Sequence, residues 1–407
     1  MIKEHMRMAF SSINASKARS FMTMFGVIIS VASVITIVGL GHGLRNQVSK
    51  QITKLGSNLI IVQPGRPGSN SAVNIQSLQS LGNTSGGILT EQDLATTAKV
   101  ANIDQLSPVA TITGLPSFEG RTMASAVIVG ASESLPEIVD KKVEYGSYFG
   151  KEDINKNYAV IGRGVAEDLF NENVPIGKAF TVRGVEFIVQ GVFEQTPVTP
   201  LSPSVNFNSA IVLTYTKAKE ISAGSLQISQ ILITTKSADV TAEVSNNINA
   251  ALKLNHGGQE DFSVLRQEET LAISDGVFNQ LTVFIGGAAI IALIVGGIGI
   301  MNIMFASVSE RTREIGIRKA LGATNKQIID QFIIEAVTLS ASGGVAGIIV
   351  SLIVIAAIRS TTSLEPAIVL PVIGGAFLVS VSVGIVSGIL PALKAARKDP
   401  IESLRGV

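Results

Sequence analysis

The sequence predicts an α+β membrane protein in which four transmembrane helices carry one large α/β extracytoplasmic domain between the first and second spans. Three observations lead there. The first is composition: 46% of the 407 residues are hydrophobic and only 15% charged, and the mean hydropathy of +0.42 is too apolar for an ordinary soluble chain. The second is a set of four apolar runs, Phe21–Leu40, Val277–Val308, Phe332–Ile358 and Ala367–Leu390, each reaching the roughly 20 residues that a bilayer requires. The third is where Lys and Arg flank those runs, which sets their orientation.

The elements follow in chain order. Residues 1–20 place Ile2, Met6, Ala9, Phe10 and Ile13 opposite Lys3, Arg7, Ser11, Asn14 and Lys17, a pattern for a cytoplasmic interfacial helix; a solvated leader fits the same short window. Residues 21–43 form the first span. Its apolar core exceeds the roughly 7–15 residues of a signal peptide and no small-x-small cleavage site closes it, so an uncleaved anchor is expected. Residues 44–275 are soluble in character and lie outside the membrane. There Leu59–Gln63, Val127–Gly130, Tyr158–Gly162, Ala179–Val182, Glu186–Phe193 and Ile231–Thr235 read as strands, with Gly184 at a hairpin turn. Thr90–Val100 reads as a helix capped by Thr90 with Asp93 three residues on, and Ala238–Leu254 as a second. Gly68–Gly87, rich in Ser, Asn and Gly, is expected as a mobile loop.

The second span, 277–308, is longer than a bilayer needs and is expected to tilt or project beyond it. Residues 309–327 form a charged cytoplasmic loop. In it Glu314 and Arg318 stand four apart in the favourable order, and Ile317, Ala320 and Leu321 line one helical face. Gly322 suits a left-handed cap, and Thr324 with Gln327 a capping box. A short amphipathic helix at the membrane surface is what docking a cytosolic partner requires; an ordinary stop-transfer loop accounts for the same charges equally well. The third and fourth spans, 328–358 and 367–390, are joined by a short loop ending in Glu365 and Pro366, hence an antiparallel hairpin. In the tail, 391–407, Asp399, Pro400 and Glu402 predict the start of a terminal helix. Lys3, Arg7, Lys17 and Arg19, then Arg311 to Lys326, then Lys394 to Arg405 all fall on one side, while only Arg359 follows the third span. Both termini and the 309–327 loop are therefore expected in the cytoplasm.

Several functions are excluded. The net charge of +1 and pI near 7.9 argue against nucleic acid as a partner. There are no cysteines, so no disulfide or thiolate chemistry. His5, His42 and His256 share no ligand spacing and read as incidental. No phosphate loop occurs, since Gly177-Lys178 is followed by Ala179, and no catalytic motif is present. No ionisable residue stands near the centre of an apolar run, which argues against a secondary transporter. Glycines at 286, 287, 296, 297, 299, 343, 344 and 347 predict close helix–helix packing.

Six blocks together resemble the permeases of the MacB/FtsX-like ABC transporter family. They are LGSNLIIVQPG (Leu55–Gly65), VIGRGVAEDLF (Val160–Phe170), PIGKAFTVRGV (Pro175–Val185), GIGIMNIM (Gly297–Met304), the charged block Ser309–Ala323, and Pro391–Arg405. The resemblance spans nearly the whole chain. It implies a bacterial inner or plasma membrane location and a porter-like subdomain from 55–115 and 225–270, with 116–224 inserted between. It implies a partner cytosolic ABC ATPase that holds ATP and Mg while this chain binds no cofactor. The ATPase-coupling surface would be Glu310, Arg311, Arg313, Glu314, Ile315, Ile317, Arg318, Lys319, Ala320, Leu321 and Gly322. A second permease copy would pack at Gly296, Gly297, Gly299 and Asn302, with membrane lipids around it and a membrane-fusion-type adaptor outside. Unlike MacB, no ATPase region precedes the first span, so a separate subunit is expected to supply hydrolysis. Two implied roles compete: mechanotransmission for export or efflux of a drug, peptide or lipid-like substrate, and FtsX-like activation of an external cell-wall hydrolase. The long outer domain disfavours the second. A membrane-anchored receptor without an ATPase is a third, against which the 309–323 block argues.

Overall fold

The structure, a computed structural model, describes residues 17–54, 56–65, 88–195, 206–222, 226–362 and 364–399. The expected leader helix, the Gly68–Gly87 loop and the terminal helix from Asp399 lie wholly or mostly outside the described residues. The chain divides into two compact units, one of 1–44 with 278–407 and one of 45–277.

The membrane unit is helical. Among the described residues, four helices are long and apolar enough to cross a bilayer. They are α1 (Lys17–Lys54), α7 (Gln267–Glu310), α9 (Asn325–Thr361) and α10 (Leu370–Ala396), and a short α8 (Thr312–Ala320) stands between α7 and α9. The 44 residues of α7 make a rod of about 66 Å at 1.5 Å per residue, against a hydrocarbon core of about 30 Å. The core gathers Val27, Val31, Ile300, Met304, Phe332 and Leu339 around a ladder of small residues. On α10 the ladder is Ala376, Ser380, Gly384, Gly388 and Ala392, all buried at four-residue spacing. Gly384 faces Ser340, Gly388 faces Ala336 and Gly344 faces Ser380, in opposite chain directions, so α9 and α10 form the expected antiparallel hairpin. Ser380 Oγ donates to Ser340 O at 2.8 Å across this seam. The loop between them is sewn to α1, where Ala367 N donates to Gly39 O at 2.8 Å. There a Cβ on Gly43 would fall 2.1 Å from Glu365 O, so only glycine admits that approach.

The outer unit is built on a 12-stranded mixed sheet among the described residues. β1 (Leu59–Pro64), β2 (Ile103–Ile112), β11 (Gln227–Thr235) and β12 (Phe262–Arg266) come from both ends of the segment and lie together in the order β12-β1-β11-β2, all antiparallel. The sheet continues through β5 (Val127–Ala131), β10 (Ala210–Thr214), β7 (Tyr158–Ile161), β9 (Val185–Phe193), β8 (Ala179–Val182), β3 (Pro116–Phe118) and β4 (Arg121–Thr122); β6 (Val143–Gly146) pairs with β9. Two pairs, β5 with β10 and β7 with β9, are parallel. The β8–β9 hairpin turns at Arg183 and Gly184, both with positive φ, the requirement of a tight primed turn.

Helices α2 (Glu91–Thr97), α3 (Leu135–Ile138), α4 (Arg163–Phe170), α5 (Tyr215–Ile221) and α6 (Thr241–Asn255) also belong to the unit. Thr90 and Asp93 form the capping box at the head of α2. His256, expected to be incidental, instead joins three elements. Its Nε2 stands 3.2 Å from Asp93 on α2 and its Nδ1 2.6 Å from Asp261 before β12, while Asn255 at the end of α6 donates to Asp93 Oδ1 at 3.0 Å.

Candidate functional site

The site is α8 and the chain on either side of it. α7 ends at Glu310, and Thr312 Oγ1 closes the corner by donating to Val308 O at 3.0 Å and Ser309 O at 2.9 Å. Nine residues later α8 stops in a Schellman motif: Ala323 N donates to Arg318 O and Gly322 N to Lys319 O, both at 3.0 Å, with Gly322 at φ +99°. Thr324 and Gln327 then cap α9 reciprocally, as expected.

The two faces of α8 differ in kind. Inward, Ile315 is buried in the membrane-unit core with Val308 and Ile328, so it anchors the helix and offers no surface to a partner. Outward, Glu310, Arg313, Glu314, Ile317, Ala320, Leu321 and Gly322 are exposed. Ile317 is 44% and Leu321 83% accessible, and with Ala320 they form one apolar stripe, as their spacing requires.

Basic side chains hold the helix from behind. Arg311 Nη1 stands 3.3 Å from Glu335 Oε1 on α9. Arg318 Nη1 donates to Gln331 Oε1 at 2.6 Å; the expected Glu314–Arg318 pair does not form. Lys319 Nζ donates to Ala396 O at 2.7 Å and Lys398 O at 2.9 Å. Sequence reasoning missed Glu335 and Gln331. A carboxylate four residues inside the apolar run Phe332–Ile358 was the available signal, because such a group needs a partner.

The four residues expected to pack against a second copy fall into two pairs. Gly296 lies against Gly26 and Val27, and a Cβ on Gly297 would be 2.7 Å from Ser387 Oγ. Both therefore serve contacts within the chain, a correction to the expected role. Gly299 has open space where a Cβ would be, and Asn302 is exposed. Also missed were Ser380, Gly384 and Gly388, visible in retrospect as small residues at four-residue intervals.

In the outer unit, an apolar pocket is walled by Leu59, Val109, Val129, Leu135, Phe207 and Leu232, with Gln230, Gln267 and Thr270 as its polar lining. No group of three metal-ligating side chains occurs among the described residues.

Comparison with known proteins places these features. Residues 20–251 match the model of the MacB-like periplasmic core domain, and 286–400 match that of the FtsX-like permease C-terminal region. The chain is 32% identical over 404 residues to the macrolide export ATP-binding/permease protein MacB of Wolinella succinogenes, covering 98% of this chain and 60% of that protein. It therefore spans about 60% of the length of such relatives. It is also 32% identical over 405 residues to the ABC transporter permease YknZ of Bacillus subtilis, covering 99% of this chain and 98% of that one. The crystal structure of the periplasmic region of MacB from Actinobacillus actinomycetemcomitans aligns with a TM-score of 0.44 and 19% identity, over 55% of this chain and 94% of that one. The chain belongs to the MacB/FtsX-like family of ABC transporter permeases.

Proposed function

We propose that this chain is a mechanotransmitting permease that couples ATP hydrolysis by a separate ABC ATPase to movement of its outer unit, for efflux or export of a drug, peptide or lipid-like substrate. The observation that carries the reading is the exposed stripe of Ile317, Ala320 and Leu321 on a helix fastened from behind by Arg311, Arg318 and Lys319. A leucine 83% accessible on an anchored helix is a surface built to be covered. ATPase closure would displace α8, and α7, helical without interruption from Gln267 to Glu310, would transmit that displacement. Lys and Arg flanking the spans support a cytoplasmic α8 and cytoplasmic termini. The adjacency of β1, β2, β11 and β12 supports a porter-like subdomain drawn from 55–115 and 225–270, with 116–224 inserted. A second copy would meet α7 on the face bearing Gly299 and Asn302, which contacts within the chain leave open. An adaptor would meet the outer unit.

Membrane vesicles test the reading. The cognate ABC ATPase, sought among the neighbouring genes, is expected to bind inverted vesicles holding this chain and not right-side-out ones. Leu321→Asp is expected to abolish that binding, because a carboxylate in a buried contact costs roughly several kcal/mol unless paired. Retained binding and retained stimulation of ATP hydrolysis by Leu321→Asp would leave α8 a plain stop-transfer loop.

A further inference from the structure

The final carbonyls of a helix have no partner inside it. At the end of α10 two backbone carbonyls, one in its last turn and one just beyond it, receive a donor from another element. Lys319 of α8 directs its ammonium to Ala396 O at 2.7 Å and Lys398 O at 2.9 Å. An ammonium suits the position, since it carries three donors and its charge opposes the negative end of the helix dipole. The same turn of α10 reaches α7 as well, for Lys394 Nζ lies 5.2 Å from the centre of the Phe305 ring. Arg311 and Arg318 meanwhile tie the α8 segment to Glu335 and Gln331 on α9. Without Lys319, α8 would keep its links to α9 and lose these two hydrogen bonds to the end of the last span.

We propose that Lys319 is a positioning residue for energy coupling. It does not dock the ATPase; it makes the end of α10 move with α8. The proposal rests on reading α8 as the coupling element, and it reassigns one residue of that expected surface from partner contact to internal transmission. Substitution should therefore separate assembly from coupling, whereas loss of a docking contact would reduce both together.

The absence of native cysteine permits a test within one preparation. Lys319→Cys permease is purified, and half is alkylated with 2-bromoethylamine, which restores an ammonium on a side chain of nearly lysine length. Both halves are reconstituted into liposomes and given the purified cognate ATPase. Binding is expected to stay within about threefold of the unsubstituted chain in both halves, since α8 keeps its outward stripe and exposed contacts contribute little. Permease-dependent stimulation of ATP hydrolysis is expected to fall about tenfold in the untreated half, the scale of a lost charge-assisted hydrogen bond. Alkylation is expected to restore most of it. Lys319→Arg, which keeps donors and charge, is the companion variant and is expected to stay coupled even if Lys319→Cys yields little protein. Unchanged stimulation in Lys319→Cys overturns the proposal, as does a parallel fall in binding, a failure of alkylation to restore coupling, or an uncoupled Lys319→Arg. Failure of the unsubstituted chain to bind the ATPase would instead defeat the coupling reading of α8, and this proposal with it.

Discussion

Along the α9–α10 seam the membrane unit buries small residues, where the outer unit buries large ones. Along α10 the buried positions include Ala376, Ser380, Gly384, Gly388 and Ala392, while Leu378 and Val386 stand 66% and 68% accessible. The outer unit reverses this, with Phe187, Phe193, Ile161 and Leu169 among its fully buried side chains. The contrast follows from the two solvents. In water, removing a large apolar side chain from the surface is the main driving force for folding. In lipid a leucine gains little by leaving the tails, so helices associate through close backbone approach and interhelical hydrogen bonds. The Ser380–Ser340 bond, made at a point where both residues are buried, is an instance.

One large effect expected from this contrast is at Gly384. A Cβ there would lie 2.0 Å from Ser340 Oγ and 3.1 Å from Ala336 O, so Gly384→Leu must push α9 and α10 apart. Overpacking typically costs about 1–3 kcal/mol and more where backbone must shift; loss of monodisperse protein after detergent extraction is the expected readout. Gly286→Leu is the control, because nothing lies within 4 Å of its added Cβ. Equal behaviour of the two variants would show that the seam does not hold the hairpin together.

Truncation should rank the units the other way. Phe187→Ala, at a fully buried site, is expected to destabilise the outer unit by about 3–5 kcal/mol. Leu378→Ala, on the accessible face of α10, is expected to cost under about 1 kcal/mol, since lipid contacts replace lipid contacts. Urea or thermal unfolding in detergent, followed by hydrogen exchange in each unit, measures both. A large cost at Leu378 would break the comparison and place a protein surface, not lipid, on that face.

The same contrast explains what was legible in the sequence. Spans announce themselves through continuous apolarity, and caps such as Thr90 with Asp93 or Thr324 with Gln327 through local spacing. Features made by residues distant in sequence did not. β2 escaped notice because Pro108 interrupts its pattern, yet the strand carries Pro108 opposite Ile231 in mid-sheet. β10, Ala210–Thr214, is buried at every position, so it has no alternation to read. At the site the outward stripe was legible from period alone. Arg318 chose Gln331 over Glu314 because the turn at Gly322 folds α9 back beside α8, which i,i+4 arithmetic cannot register. Glycines announced close approach at 296 and 297 but not that the approaching helices belong to the same chain.

A further effect concerns the outer unit alone, at the buried carboxylate of Asp93. Its Oδ2 accepts from Thr90 N at 2.8 Å and Thr90 Oγ1 at 2.7 Å, and its Oδ1 from Asn255 Nδ2 at 3.0 Å. Burial pushes this carboxyl up, but the hydrogen bonds from Asn255 and Thr90, with His256 beside it, hold it below the usual carboxylate value. A carboxylate depressed in the folded state stabilises above its unfolded pKa, about 3.9, and that stabilisation is lost as pH falls through the folded value. The clasp joining α2, α6 and the chain before β12 is therefore expected to loosen in acid below about pH 3.9, and to be intact at neutral pH. Asp93→Asn keeps the shape, removes the charge and turns one acceptor into a donor facing other donors. It is expected to cost about 1–3 kcal/mol at neutral pH and to flatten the acid limb of the stability curve. Thermal unfolding against pH reads the limb, and hydrogen exchange at the α2 and α6 amides locates it. An Asp93→Asn chain with the native acid limb would mean that another carboxylate governs the outer unit, and a limb that appeared equally in the membrane unit would deny that the two are stabilised by different means.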